Sequence, residues 1–398
     1  MGEMRQNQRI YDDKAHCCGC AACVNICPKQ AVHMQEDECG FIYPEIDETK
    51  CIFCGLCKKV CSFQSGEGGQ VPIAYYAAIC NDKELVKKSA SAGVFAVLAS
   101  DILKQGGMVF GASFDEEWNV RHISVKSSSD LEKLQGSKYA QSSVGLTYSD
   151  AKKALEDKKT VLFSGTPCQI AGLNGFLDKK YDNLLTVDIV CHGVPSNKML
   201  KEYLKIIEYK NKGSIDKFTF RDKSIGWGIN GSAIIRGKKI KLWQSASSYL
   251  HYFSKWWIYR DSCYKCKYAC LNRTSDITIG DYWGIEKEHP DIIGKWNEDE
   301  AVSLIIINSS KGKKAISEIK LLQLEPSNYD KMKRRNKQLE CPTDIGQRDI
   351  LVNIFIREGW NGIEKEFENN VGIKKYYSQI KAMIPVYIRR KLKYLKEP

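Results

Sequence analysis

The sequence predicts a small α+β domain over residues 1–70, an α/β body over 71–310, and a helical C-terminal region with a basic tail over 311–398. Three observations lead there. Eight cysteines fall into two equally spaced runs within the first 61 residues. After the linker "SGEGGQ" the texture changes to strand and helix signals in alternation, the pattern of an α/β fold. Near the C-terminus, Tyr376, Tyr377, Ile380, Ile384, Tyr387, Ile388, Leu392 and Leu395 recur at helical spacing with basic residues between them. A chain of 398 residues is too long for one compact core, so two or three domains is the natural number.

The first domain is defined by its cysteines. Cys17, Cys20, Cys23 and Cys27 form C-x2-C-x2-C-x3-C followed by Pro28, and the pattern returns as Cys51, Cys54, Cys57 and Cys61. This is the run that bacterial ferredoxins use to hold cubane clusters, so the domain is ferredoxin-like. Two residues between cysteines let a tight loop wrap three corners of a cube, while the fourth cysteine turns away toward the other cluster. Cys17, Cys20, Cys23 and Cys61 are therefore expected to hold one [4Fe–4S] cluster, and Cys51, Cys54, Cys57 and Cys27 a second. A zinc site would want two pairs rather than two runs of four. The N-terminus is polar, so no signal peptide is expected, and no apolar run approaches the roughly 20 residues of a membrane span. A cytoplasmic location follows, where disulfides are rare. Seventeen cysteines there argue for metal or redox chemistry. Cys18 is read as a neighbour and not a ligand, and Cys39 as a strand or turn residue. Ser62 stands where the repeat would have proline.

The body opens with "IAYYAAIC" as a strand and "SAGVFAVLASDILKQGG" as a helix ended by glycines. "MVFGASF" and "VRHISVK" read as a strand pair, "DAKKALED" as a helix and "TVLFSG" as a buried strand. In "FSGTPCQ", Gly165 permits a tight turn and Pro167 suits the first helical position. Cys168 then falls in the first turn, where the helix dipole favours a thiolate. "LLTVDIVC" is a further strand, and Cys191 and His192 follow at its end, where α/β folds keep ligands. His192 is a candidate proton donor, or else a hydrogen-bonding neighbour of the site. Cys263, Cys266 and Cys270 are spaced C-x2-C-x3-C. They suit three corners of a third cubane cluster, with Cys168 or Cys191 as the fourth ligand; zinc is the rival occupant. The aromatic run "YLHYFSKWWIYR" reads as core.

Charge adds little to this. The formal net charge is +12, but residues 373–398 hold eight Lys or Arg against one Glu. The rest of the chain then carries only about +5. Without a zinc finger, an RRM signature or a base-reading helix, nucleic acid is not an expected partner.

The stretches "SASAGVFAVL", "LQGSKYAQS", "FSGTPCQIAGL", "CHGVPS", "FRDKSIGWG", "SCYKCKYACLNRTSDITIGDYWGIE" and "VSLIIIN" run from about residue 74 to 310. On these motifs the chain resembles the coenzyme F420 hydrogenase/dehydrogenase beta-subunit family, in which an N-terminal two-cluster ferredoxin domain is a common fusion. Members include electron-input subunits that act on a deazaflavin and ferredoxin-linked reductases of chlorophyll intermediates. Many bacterial members sit among polysaccharide-synthesis genes. The resemblance implies FAD and a further [4Fe–4S] cluster in the body. At Ser91–Gly93 this chain reads Ser-Ala-Gly where relatives often read Ser-Gly-Gly, which narrows the approach of a cofactor to the backbone.

The residues agree with a flavin, which converts single electrons from clusters into the pairs that organic reductions need. "SASAG", "GSKY" and "SGTPCQ" offer Ser- and Gly-rich turns for its pyrophosphate. The cofactor-binding candidates are Ser91, Gly93, Ser137, Lys138, Tyr139, Gly165, Thr166, Pro167, Gln169 and Gly193, with Lys138 meeting a phosphate. Arg273, Asp276 and Asp281, around the strand "ITIG", are added as partners for ribityl or ribose hydroxyls, with turn capping as the alternative for the aspartates. No G-x-G-x-x-G fingerprint follows a strand, so no NAD domain is expected.

The sequence thus reads as a cytoplasmic iron–sulfur flavoprotein. A ferredoxin or similar donor would deliver electrons through the clusters to FAD and on to an organic substrate. The alternative is an electron-transfer subunit that feeds a partner enzyme or a deazaflavin coenzyme. The basic tail, interrupted by Pro385, is expected either to pack on the body or to touch an anionic membrane surface.

Overall fold

The computed structural model describes residues 10–65, 69–292, 294–296 and 301–372. The basic tail, with its expected helix and membrane contact, lies outside the described residues.

The N-terminal segment is small and built around its cysteine loops. Helix α1 (Ala22–Ile26) lies within the first run and carries Cys23, a hairpin pairs β1 (Val32–Glu36) with β2 (Ile42–Ile46), α2 (Leu56–Lys59) lies within the second run and carries Cys57, and α3 (Ser62–Ser65) follows it. The hairpin is antiparallel, with Val32 opposite Ile46. Asp37 closes its turn by accepting from the backbone N–H of Cys39 (3.0 Å) and Phe41 (2.9 Å), an Asx device that presets a turn.

The body then supplies β3 (Ala74–Cys80), α4 (Lys83–Lys88), α5 (Val94–Lys104), β4 (Met108–Phe114), β5 (Val120–Val125), α6 (Thr147–Glu156), β6 (Val161–Gly165), α7 (Pro167–Leu177) and β7 (Leu184–Ile189). It continues through α8 (Asn197–Asn211), β8 (Ile215–Thr219), β9 (Gly231–Ile235), β10 (Lys238–Leu242), α9 (Ser248–Lys255) and β11 (Ile277–Asp281). Last come α10 (Ile285–Glu288), β12 (Ser303–Ile307), α11 (Ser310–Ser317), β13 (Leu322–Pro326), α12 (Tyr329–Lys333) and α13 (Arg348–Val371).

Eight strands form one mixed sheet in the order β13-β3-β12-β11-β7-β6-β4-β5. Its centre, β4, β6, β7 and β11, is parallel, and its flanks are antiparallel. Every residue of β12 is buried, so "SLIII" reads as a continuous apolar run, as expected of a strand covered on both faces. The parallel strands end together, and β6 and β7 run directly into the Thr166–Cys168 turn and the Cys191–Gly193 loop.

A second sheet, β10-β9-β8, is antiparallel. It packs with α8, α9 and α13 on an aromatic core that contains Tyr203, Phe220, Tyr249, Tyr252 and Trp360. The run "YLHYFSKWWIYR" contributes Tyr249, Leu250, Tyr252, Phe253, Ile258 and Tyr259 to this core. The region expected to be helical does supply α13, but it also contributes β13 to the edge of the main sheet.

The N-terminal segment is packed into the body. Cys20, Ala22, Cys23, Val32 and Val60 share one core with Tyr148, Phe163, Ile170 and Leu173. Helix α7 approaches closely because it carries glycines at the contact. A Cβ on Gly172 would meet Cys20 Sγ at 2.8 Å, and one on Gly175 would meet the Val60 carbonyl at 2.7 Å.

Candidate redox site

Cys17, Cys20, Cys23 and Cys61 line one cavity, together with Tyr11, Met34, Pro44 and Phe63. These are the four cysteines that the spacing groups. Left-handed bends at Gly19 (φ 67°) and Ala21 (φ 61°) coil the loop around it. Burial pushes the Cys23 thiol well up, and Cys20, Cys17, Cys61 and Cys57 add to the effect. Such a crowd of sulfurs ionises together only against a compensating positive charge.

The second run has another setting. Cys51 and Cys54 both act on Cys57 as close neighbours. Cys54 is exposed, and Cys51 and Cys57 are half-buried. Cys27 packs with Cys57 against the same core. Backbone N–H groups donate to two of these sulfurs, Ala31 N to Cys27 Sγ (3.2 Å) and Phe53 N to Cys51 Sγ (3.5 Å).

In the body, Cys168, Cys191, Cys263 and Cys266 line a second cavity. Cys191 has Cys263, Cys168 and Cys266 as electrostatic neighbours. The fold thus brings together both Cys168 and Cys191, which the sequence offers as alternatives, and sets Cys270 apart. The Cys270 thiol turns back on its own loop and donates to the Lys267 and Asn272 carbonyls, each at 3.3 Å. Cys18 lines this cavity and the Cys17 cavity alike, with its thiol in hydrogen-bond reach of Cys168 and Cys20. Its hydrogen bond to Cys168, more than the helix terminus, holds the Cys168 thiol below its ordinary range against the opposing effect of burial. Among the described residues no three His, Cys, Asp or Glu side chains converge on a point suited to a single metal ion.

A larger cavity of about 500 Å³ opens at the ends of the parallel strands, well within the size range of cofactor sites. Of the cofactor candidates, Ser91, Gly93, Ser137, Lys138, Tyr139, Gly165, Thr166, Gln169, Gly193 and Asp281 line it, as does His192. Gly93 takes φ 86° and starts α5, so the helix N-terminus faces this space. Lys138 is half-buried, donates to the Gln135 carbonyl at 2.8 Å, and is pulled down to about 7 by desolvation. Burial likewise pulls His192 down to about 4, leaving its imidazole neutral at physiological pH. Arg221 grips Asp281 with two bonds (2.7 and 3.0 Å), and Trp227 Nε1 donates to the same carboxylate at 2.7 Å. Burial raises the Asp281 pKa, but the Arg221 charge and these bonds bring it below its usual value.

Three candidates lie elsewhere. Pro167 and Arg273 face the Cys168 cavity. Arg273 is buried, bonds Thr278 Oγ1 and the Tyr268 carbonyl (both 3.1 Å), and stands 3.2 Å from Asp188. It fixes the loop after Cys266 and does not reach the large cavity. Asp276 is used up within the fold, accepting from Thr186 N and Oγ1 (both 2.9 Å) and from Ser309 Oγ (2.6 Å).

The structure also brings in residues that the sequence does not mark. His122 lines the large cavity and joins Ser142 Oγ and the Ser164 carbonyl, each at 2.9 Å. Gln141 and Arg260 lie beside the cysteines of the body. Arg221 and Trp227 stand in "FRDKSIGWG", where only the motif as a whole gave a signal.

With two cysteine runs folded around one cavity and an exposed loop, this is an iron–sulfur electron-transfer protein. Residues 16–65 match the 4Fe-4S dicluster domain. Residues 158–330 match the C-terminal region of the coenzyme F420 hydrogenase/dehydrogenase beta subunit, to which this part of the chain is similar. An uncharacterized protein of Methanocaldococcus jannaschii is 24% identical over 336 residues, which are 72% of this chain and 86% of the relative. A solved structure titled "Xenon derivatization of the F420-reducing [NiFe] hydrogenase complex from Methanosarcina barkeri" aligns with a TM-score of 0.44 and 18% identity. That alignment covers 77% of this chain and 95% of the other, and a score this low does not establish a shared fold. Among the described residues no helix is long and apolar enough to cross a membrane.

Proposed function

We propose that the chain is an iron–sulfur flavoprotein oxidoreductase that carries electrons from a ferredoxin-type donor to an organic substrate. The observation behind this is an unbroken series of sites. Cys18 and Phe63 line both the Cys17 cavity and the Cys168 cavity. Cys191, His192 and Gly193 line both the Cys168 cavity and the large one. Bound clusters carry single electrons, and a bound flavin exchanges one or two.

The residues suit these tasks. Cys51, Cys54, Cys57 and Cys27 hold the outer cluster beside Ile52 and Phe53, which are exposed for docking of the donor. Cys17, Cys20, Cys23 and Cys61 hold the next, and Cys168, Cys191, Cys263 and Cys266 the one in the body. The N-terminus of α5 and Lys138 meet the FAD phosphates, and Thr166 and Gln169 border the cavity where the cysteine set adjoins it. The neutral His192 imidazole, beside Cys191, donates a hydrogen bond to the substrate through its ring N–H.

The family match, to part of a beta subunit, favours a second reading in which a partner enzyme performs the chemistry. Anaerobic purification with iron, sulfide and flavin analysis tests the first. About twelve irons and one FAD are expected, with turnover by the chain alone. Stoichiometric zinc with iron for only two clusters would remove the body cluster, and a flavin-free protein would remove FAD. Loaded protein that turns over only with a partner would establish the second reading.

A further inference from the structure

Arg260 lies between two of the cysteine sets and is 0% exposed. Its backbone N–H donates to the Val194 carbonyl at 3.0 Å, which fixes the residue against the loop that carries Cys191. Nε donates to the Cys17 carbonyl at 2.7 Å, and Nη1 donates to Gln141 Oε1 at 3.1 Å. Gln141 is itself anchored, donating through Nε2 to the Cys18 carbonyl at 3.0 Å. The guanidinium lies 4.0 Å over the Tyr43 ring. Nη2 is buried and has no hydrogen-bond partner among the described residues, while the side chain lines the cavity of Cys168, Cys191, Cys263 and Cys266.

No carboxylate among the described residues offsets this charge. The adjacent Asp261 lies 3.0 Å from Arg348 Nη2 instead. A buried, unpaired cation costs several kcal/mol, so its persistence implies an anion in the cavity that it faces. Thiolates bound to a cluster supply one.

We infer that Arg260 sets the reduction potentials of the two clusters it separates. This rests on the proposed body cluster. With a cluster bound among Cys168, Cys191, Cys263 and Cys266, whose cavity Arg260 lines, the unpartnered Nη2 would have a sulfur to donate to, and the charge would act across the Cys17 carbonyl on the Cys17–Cys20–Cys23–Cys61 set. Reduction adds one electron from the donor to a cluster, with no bond made or broken. The added negative charge is stabilised by the fixed cation at low local dielectric, so Arg260 raises both potentials. It is a positioning and tuning residue and takes no part in bond chemistry.

The test is an EPR-monitored redox titration of the full-length, iron-loaded protein with R260Q and R260K variants. R260Q is expected to lower the equilibrium constant for reduction of the body cluster about tenfold, or about 59 mV for a one-electron couple. The Cys17 cluster should move less, and the Cys51 cluster, which Arg260 does not touch, should stay fixed. R260K keeps the charge and should remain near the wild type. Full iron content in R260Q with unmoved potentials would overturn the inference. If R260Q fails to fold, R260K still tests the inference, because a tenfold drop despite the retained charge overturns it. Wild-type protein lacking the third cluster's iron would instead defeat the functional reading, and the inference with it.

Discussion

Cys54 stands exposed at the surface between Phe53 and Gly55, while Cys168, Cys191, Cys263 and Cys266 line an internal cavity. Ile52 and Phe53 are 55% and 65% exposed, and Phe53 takes a left-handed φ of 56°, a strained setting for a bulky residue. The inner set has Arg260, the Thr166 hydroxyl 3.1 Å from Cys168 Sγ, and the α7 N-terminus around it. The difference teaches how place divides one chemistry. At the surface, water screens the charge of a cluster and the protein has to provide contact. In the interior, the protein has to provide the compensating charge itself.

The sharpest way to break this comparison is to empty one set at a time. Cys263→Ala should cost about four irons of twelve, leaving the outer EPR signals intact, and Cys51→Ala should remove only the outer cluster. Loss of all iron from either variant would mean that the sets are not separate. Acid should act on the interior next. His122 is buried and held down to about 4 by desolvation. The unfolded chain therefore binds the extra proton below about 6.5. Stability from this group is intact above that pH and is lost as pH falls toward 4, by at most about 3 kcal/mol. Urea titrations at several pH values should show this slope, and H122Q should flatten it.

Two smaller effects sharpen the division. K138M removes a lysine that lines the large cavity and should weaken FAD binding about tenfold, roughly 1.4 kcal/mol, while leaving all iron signals unchanged. Flavin fluorescence titration would measure it. F53S should slow reduction by a ferredoxin-type donor several-fold, with unchanged titration by dithionite. A stopped-flow rate equal to the wild type would remove Phe53 from docking.

The outer set was legible in the sequence because its ligands are close along the chain, so spacing alone groups them. The inner set gathers residues from the α7 turn, the end of β7 and the loop after α9. Spacing there proposed Cys270, whose thiol the loop turns back on itself. Arg260 was hidden for a related reason, since it ends the aromatic run "YLHYFSKWWIYR", which reads as core and largely is core. Three Ser- and Gly-rich turns that border the large cavity were legible, because turn residues are encoded locally: one starts α5, one joins β6 to α7, and one is a loop. The central strands were legible as continuous apolar runs. The second sheet and β13 were not: Lys238, Lys239 and Lys241 crowd β10, and Pro326 closes β13. Charged and proline-bearing edges look like loops.

The seam at Gly172 and Gly175 has a consequence for inheritance. The segment that matches one family and the segment that matches another meet through two positions that tolerate no side chain, one against a sulfur and one against a backbone carbonyl. A recombination event that brought in a foreign dicluster segment would also have to reproduce the contour of α7. A side chain at either glycine would push against the segment across the seam, so the contour of one side constrains the sequence of the other.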